Sequence, residues 1–158
     1  MPATSPRGRS SGARGSEAAG LGLRLLAVML GVFFLSMGLN KLAWLTDSDI
    51  LLQKLQMFLK GASPGTRWYI ETIAMPGVPL FARLAPIAEL STAVALIVGF
   101  WTRLAATLAF LMVLNFHFAT GEIVTRAFLV DGTGLPVLGA LMALMIGGGK
   151  LPWTVSRQ

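Results

Sequence analysis

The sequence predicts an all-α fold, a four-helix transmembrane bundle with a short amphipathic interfacial helix in the first loop. Of the 158 residues, 54% are apolar and 13% are charged, whereas ordinary soluble domains are about 25% charged. The mean hydropathy is +0.71. Because a small soluble domain buries only about two-thirds of the surface that its unfolded chain exposes, much of this apolar surface is expected to face lipid.

The N-terminal part of the chain combines a polar tail, one span and one short helix. Residues 1–20 are rich in Gly, Ser, Ala and Arg, which predicts a disordered basic tail, with a transit peptide as the alternative. The first span covers about 21–45, enough to cross a core of ~30 Å at ~1.5 Å per residue. Residues 50–60 predict an amphipathic helix that is too short to span and lies on the membrane surface.

Three further apolar segments complete the predicted membrane domain, residues 21–150. Their spans are about 79–100, 104–121 and 133–148, and residues 151–158 form a C-terminal tail. Four spans put both termini and the second–third link on one side. That side is predicted to be cytoplasmic by the positive-inside rule, because Glu17 is its one acidic residue. Its basic residues are Arg7, Arg9, Arg14, Arg24, Arg103, Lys150 and Arg157.

Aromatic residues fit the same topology. Trp44 and Trp68 mark one predicted membrane interface, and Trp101 and Trp153 mark the other, as the aromatic belts of membrane proteins do.

Composition also excludes several kinds of chemistry. The sequence has no cysteine and one histidine, so a disulfide, a thiolate metal site, an iron–sulfur cluster and a bis-histidine haem cannot be built within this chain. We predict no metal site. The net charge of +6 is explained by membrane orientation, so we expect no nucleic-acid partner. Signature motifs of hydrolases, kinases and dinucleotide enzymes are missing from the sequence.

Glu89 is the most informative residue, because an ionisable group in the middle of a span is costly and indicates function by default. Lys41, near the end of the first span, is its predicted partner, since a lysine can reach toward the membrane interior with its long stem. The alternative is a buried ion pair that fixes the register of the helices.

The third span carries two polar candidates near its end. Asn115 and His117 are about 200° apart on a helix, so only one of them can face the bundle centre. We predict that His117 faces the interior, because Asn115 shares its stripe with leucines. His117 is then either a hydrogen-bonded packing residue or a group that touches a redox ligand. Arg103, at the start of this span, is expected to cap a turn or to meet headgroups, with ligand binding as the minority alternative.

Stripes of small residues predict close helix packing, either within the bundle or against another subunit. Such residues recur on three spans, at Gly31 and Gly38, at Ser91, Ala95 and Gly99, and at Gly139, Ala143 and Gly147.

Several short motifs occur together, and their order and spacing resemble the DoxX/DoxD family of four-helix membrane proteins. The motifs are the run 34–42, Trp68-Tyr69 with Pro76, Glu89 followed by Gly99, the run 102–106, Asn115-Phe116 and the run 119–121.

The long first loop with Trp68 and Tyr69 is more similar to DoxD, the small subunit of thiosulfate:quinone oxidoreductase. The resemblance implies a membrane subunit of a quinone-linked assembly, with quinone as cofactor and protein partners, in a bacterial or archaeal cytoplasmic (inner) membrane. It adds Trp68 to the candidate ligand-binding residues. The run 150–154 departs from the family pattern, in which an acidic residue follows the glycine-rich end.

Two function hypotheses follow, and the sequence leaves open whether the chain takes part in catalysis. In the first, Lys41, Glu89 and His117 line a polar pocket that faces a quinone, supplying protons and hydrogen-bond donors. In the second, the chain is an accessory subunit that stabilises a larger energy-transducing membrane complex. A transporter is a weaker third, because the sequence shows no internal repeat.

Overall fold

The computed structural model describes residues 9–130, 132–149 and 151–155, and within these residues the chain forms helices and no strand. The helices are α1 (Arg9–Leu39), α2 (Asp49–Leu59), α3 (Pro64–Tyr69), α4 (Val78–Val98), α5 (Thr102–Thr120), α6 (Arg126–Val130) and α7 (Leu135–Gly147). A π-helical turn, Ile70–Ala74, extends α3, and short 3-10 turns occur at Leu42–Leu45 and Glu122–Val124.

Three of these helices are long and apolar enough to cross a membrane, namely Gly15–Leu39 within α1, α4 and α5. α7 is equally apolar but has 13 residues, which corresponds to about 20 Å at ~1.5 Å per residue. The all-helical prediction is confirmed. The predicted spans 79–100 and 104–121 overlap α4 and α5, whereas the first predicted span, 21–45, extends six residues beyond the end of α1 at Leu39; a fourth crossing stays a prediction. The described part of the chain therefore has three candidate membrane spans and one shorter apolar helix.

The ends of the chain differ from the sequence prediction. α1 begins at Arg9, so residues 9–20 are helical in this structure, whereas the sequence predicts a disordered tail over residues 1–20. Ala, Arg and Glu favour helix, and here they extend the long apolar helix that follows. Several predicted features lie outside the described residues. They are residues 1–8 of the N-terminal tail, Asp131, Lys150, and residues 156–158 of the C-terminal tail.

Two antiparallel helix pairs build the bundle: α4 packs along α1, and α5 packs along α7. We call the end that carries α2, α3 and α6 the loop end, and the end where α4 turns into α5 the turn end. At the turn end Gly99 has a φ of +76°, and a Cβ on it would lie 2.5 Å from Thr154 Cγ2. The segment after α7 therefore packs directly beneath this turn.

A second, smaller apolar cluster lies at the loop end. The buried Leu55 of α2 packs there with Ile70, Ala74 and Val78. The predicted amphipathic helix is thus present as α2, and its apolar side faces the start of α4. That α2 lies on a membrane surface remains a prediction.

Close approach of α1 and α4 depends on glycine. A Cβ on Gly31 would lie 2.6 Å from Ile97 Cγ1 and 3.0 Å from the carbonyl oxygen of Ala93. A Cβ on Gly38 would lie 2.8 Å from Leu90 Cγ. These two glycines therefore join helices within the bundle, whereas a Cβ on Gly139 of α7 would meet no atom within 4 Å.

We predict that Gly31→Ala lowers the free energy of unfolding by about 1–3 kcal/mol, because backbone atoms of α4 must move to admit the methyl group. Thermal unfolding of the purified protein in mild detergent measures the effect. Gly139→Ala is the matched control and should be neutral or stabilising by up to about 1 kcal/mol. Equal stabilities of the two variants would contradict this account of the α1–α4 contact.

Candidate functional site

The centre of the site is a buried ion pair between α4 and the segment that follows α1. Glu89 lies eleven residues after the start of α4 and nine before its end, which is about 16 Å and 14 Å from the two ends. Lys41 Nζ lies 2.5 Å from Glu89 Oε1, and each residue is 8% exposed. The predicted contact between Lys41 and Glu89 is confirmed, while its role in function remains a prediction.

Helix packing brings the two charges together. Because Gly38 packs against Leu90 and Glu89, α1 ends opposite the middle of α4. The chain then turns through the 3-10 segment Leu42–Leu45, which continues beside α4. Lys41 begins this turn, with its backbone N–H bonded to the Gly38 carbonyl at 3.1 Å. The lysine is thus fixed at the depth of Glu89 by local backbone geometry.

Aromatic rings complete the surroundings of the lysine. Lys41 Nζ lies 5.7 Å from the ring centroid of Trp44 and 6.0 Å from that of Phe116. An ammonium over aromatic faces gains electrostatic stabilisation, more so where water is excluded. One carboxylate oxygen of the ion pair lacks a hydrogen bond: Glu89 Oε2 is buried and has no hydrogen-bonding partner within the described part of the chain. Unpaired buried oxygens of this kind call for an explanation, such as a ligand or a proton.

A cavity of about 800 Å³ adjoins the ion pair, within the ~300–1,000 Å³ typical of small-molecule sites. Its walls are mostly apolar and come from α1, α2, α4 and α5. The side chains on its wall that carry polar groups are Lys41, Trp44, Tyr69, Glu89, Ser91, Thr92, Trp101, Asn115, His117 and Thr133. An apolar cavity with a few convergent polar groups is the usual form of a ligand site.

His117 lies in the interior, as predicted, and is 2% exposed. Its Nδ1 is 2.9 Å from the carbonyl oxygen of Val113; because a carbonyl only accepts, Nδ1 carries a proton. Nε2 lies 3.8 Å from Glu122 Oε2. Glu122 follows α5 at the loop end and is partly exposed. Glu122 is not among the site residues predicted from the sequence, although its position just after the helix that carries His117 could have indicated it.

Asn115 and Tyr69 form part of the wall at the loop end. The Tyr69 hydroxyl donates to Asn115 Oδ1 at 2.6 Å, and the Tyr69 ring meets Phe118 edge-on. The hydroxyl of Thr66, one turn earlier, donates to the Phe118 carbonyl at 3.4 Å. Thr66 and Tyr69, on one side of the short helix α3, therefore hold this helix against α5.

Trp68, the predicted ligand-binding residue of this loop, does not lie on the cavity wall and is 60% exposed. Successive residues of a helix point about 100° apart, so the inward position falls to Tyr69 and not to its neighbour. Tyr69 is thus the aromatic residue of this segment on the cavity wall, and a ligand-binding role of Trp68 stays a prediction.

The candidate Arg103 lies at the other end of α5, about 21 Å along the helix from His117. Its Nε donates to the Met145 carbonyl at 2.8 Å, which ties α5 to α7 near the turn end. The buried Arg24 has a similar role that the sequence analysis missed. Its Nη1 and Nη2 donate to the carbonyls of Leu96 and Ile97 at 2.8 and 2.5 Å. Both arginines satisfy helix C-terminal carbonyls.

We predict that Lys41→Met destabilises the protein by about 3 kcal/mol, near the low end for breaking a buried ion pair, because the remaining carboxyl can take up a proton. The double variant Lys41→Met/Glu89→Leu should regain at least half of that loss. Thermal unfolding in detergent measures both. Lys54→Met is the control, since exposed Lys54 also lies over the Trp44 ring, at 5.6 Å, and should cost much less. A Lys41→Met variant as stable as the wild type would contradict the assignment.

Comparison with known proteins identifies one family for this chain. The chain matches no curated protein and no solved structure at a significant level. The DoxX family model matches residues 21–122, a range that contains α4, α5, the Lys41–Glu89 pair and His117. The match extends over more than half of the chain, and this membrane protein therefore belongs to the DoxX family.

Proposed function

We propose that this chain is the membrane subunit of a quinone-linked oxidoreductase, of the DoxD kind, and that the cavity beside Glu89 receives the quinone ring. The observation that carries the proposal is the unpaired Glu89 Oε2, buried at the edge of an apolar cavity and next to the Lys41 ammonium. A ligand with polar groups on an apolar body suits such a site.

The donor set suits a quinone ring in particular. A bound quinone supplies an acceptor of two electrons and two protons. Lys41 has three N–H donors, of which the contact to Glu89 Oε1 uses one. Glu89 lies on the cavity wall, and its carboxyl group can hold and release a proton. Trp44 and Phe116 offer flat aromatic faces around the ammonium. These groups bind and orient the ring and provide a proton at one of its oxygens.

His117 and Glu122 supply a route for protons toward the loop end. The Nδ1–H of His117 is committed to the Val113 carbonyl, so Nε2 is the nitrogen that can gain or lose a proton. It faces Glu122, which is partly exposed, across 3.8 Å. A proton can pass between the Glu122 carboxylate and Nε2 after a small approach of the two side chains. His117 itself reaches the cavity wall.

The electrons must come from outside the chain. With no cysteine and one histidine in the sequence, the chain has no thiolate or bis-histidine site to hold its own metal relay. The donor is therefore a partner subunit or a substrate bound at the partner interface, which makes this protein one part of an oxidoreductase.

We further propose four membrane crossings with both termini cytoplasmic, in a bacterial or archaeal inner membrane. α7 supports the fourth crossing because it runs antiparallel to α5 from the loop end to the turn end. A Cβ on Gly148, after α7, would lie 3.2 Å from Thr102 Cγ2 at the start of α5, and one on Gly134, before α7, would meet Phe128 of α6 at the loop end. Trp101 and Trp153 lie at the turn end and Trp68 at the loop end, each at least half exposed. These positions suit two membrane interfaces.

A structural accessory subunit is the second candidate function. It is favoured by the buried Arg24, which bonds to α4, and by Gly31 and Gly38, which allow α1 to pack closely on α4. The two candidates differ in what Glu89 does. In an accessory bundle the carboxylate only holds Lys41, whereas in a quinone site it also exchanges a proton.

We predict that Glu89→Gln abolishes quinone reduction, at least a hundredfold, while the assembly remains intact. Glutamine keeps the shape and the hydrogen bond to Lys41 but carries no exchangeable acid proton. The complex is purified from native membranes in mild detergent, its subunits are identified by mass spectrometry, and quinol formation is followed by absorbance. Glu71→Gln, which removes an exposed ion pair with Arg67, is the control and should keep full turnover.

Each result separates the candidates. Wild-type turnover in Glu89→Gln would overturn the quinone site, and loss of assembly with normal turnover per intact complex would favour the accessory subunit. Recovery of the chain without any redox-cofactor subunit would overturn the proposal that it belongs to an oxidoreductase.

A further inference from the structure

The cavity continues beyond the ion pair along the seam between α4 and α5, and its chemistry changes on the way. Beside Glu89 the wall carries charged and aromatic groups. Toward the turn end it consists of Ala95 on α4 and of Leu104, Ala105 and Leu108 on α5. Ala95 lies six residues after Glu89, about 9 Å along α4. The cavity thus has a polar head region and an apolar extension.

Small side chains on α4 create this extension. Four wall residues, Ala85, Ala88, Thr92 and Ala95, follow one another at intervals of three or four and so share one face of the helix. The facing wall of α5 carries leucines. α4 packs mainly along α1 and α5 mainly along α7, so the small residues of α4 leave space between the two pairs.

The extension borders the outer surface of the bundle. Three leucines of α5 that lie on the cavity wall are also exposed, Leu104 by 46%, Leu108 by 57% and Leu111 by 55%, so lipid would contact this side in a membrane. A second arm of the cavity runs under α2, past Leu51, Leu55 and Phe58. That arm is covered, because Leu55 is 4% exposed and packs into the loop-end cluster. The hydrocarbon chain of a ligand that enters from lipid would therefore reach the α4–α5 seam and not the arm under α2.

An aromatic pair closes the extension at the turn end. The rings of Phe100 and Trp101 stack with centroids 5.1 Å apart and planes 11° apart, and both residues reach the cavity wall. Trp101 has a φ of +44°, in the left-handed region that non-glycine residues seldom adopt. The turn between α4 and α5 thus presents a flat apolar floor to the extension.

We propose that the site takes a long-chain amphiphile from the bilayer, through the α4–α5 seam, with its hydrogen-bonding ring beside Glu89 and its isoprenoid or alkyl chain along Ala95 and Leu104 toward Trp101. This inference rests on the proposed quinone site and specifies its substrate class. Ala95 is then a specificity-determining residue, because its small side chain leaves room for the chain.

Ala95→Phe tests the chain position. The full-length protein in lipid nanodiscs is titrated with decylubiquinone and with the chain-free dimethoxy-methyl-benzoquinone. Quenching of tryptophan fluorescence reports binding, because Trp44 and Trp101 lie on the wall, and nanodiscs without protein give the partition background. We expect Ala95→Phe to reduce the preference for the decyl compound, as the ratio of the two Kd values, by about tenfold or more.

Val94→Phe is the matched control, since Val94 is the preceding residue of α4, is 59% exposed and does not line the cavity. Its ratio of Kd values should equal that of the wild type. If Ala95→Phe fails to fold, photocrosslinking of the wild type provides the same information. A decyl-type quinone with a diazirine at the chain end should label the peptide from Phe100 to Leu108.

The outcomes distinguish this inference from the proposed function. An unchanged ratio in folded Ala95→Phe, or labelling centred on α2, would overturn the chain position while leaving a quinone site beside Glu89. Labelling spread evenly over the lipid-facing side of the bundle would overturn the seam. Failure of both quinones to bind the wild type would overturn the proposed function and this inference with it.

Discussion

The structure depends on one costly arrangement, a lysine and a glutamate held together in the middle of a membrane bundle. Charges at this depth are tolerated only when they are paired and enclosed, and the 2.5 Å contact of Lys41 with Glu89 meets that condition. It also requires α1 to end opposite the middle of α4, which the contact of Gly38 with Leu90 makes possible. The loop end can then fold over the cavity because α1 no longer occupies that half of α4.

The cavity follows from the way the helices are paired. α1 with α4 and α5 with α7 are two tightly joined pairs. Each pair is joined at the turn end by an arginine: Arg24 of α1 donates to a carbonyl of α4, and Arg103 of α5 donates to a carbonyl of α7. Alanines on the inner face of α4 leave the space between the pairs unfilled by side chains. Leucines in their place would bury more apolar surface and gain packing energy. A bundle selected for stability alone would gain by that exchange.

Sequence reasoning succeeded where one helix and a charge determine the answer. Hydropathy predicted the three long apolar helices. The cost of a buried charge predicted that Lys41 contacts Glu89. The 200° separation predicted that His117, rather than Asn115, is the buried residue. Sequence reasoning failed where tertiary contacts decide. Trp68 and Tyr69 are equal candidates until α3 docks on Phe118. The sequence shows Arg24 only as a charge that flanks the first span, because its carbonyl partners lie at the end of α4. The cavity likewise depends on how four helices are placed relative to one another.

A stabilising ion pair and a ligand site differ in what they require of the acidic partner, Glu89. A pair whose purpose was to fix helix register would be stronger if both carboxylate oxygens were bonded, since a buried oxygen without a partner costs about 1–3 kcal/mol. Lys41 satisfies Oε1, and nothing in the described residues satisfies Oε2. The same carboxylate borders a cavity whose walls change from charged and aromatic beside it to aliphatic toward Trp101. The unpaired oxygen and the shape of the cavity are the two observations that support the proposed occupant, a molecule with a polar ring and an apolar chain.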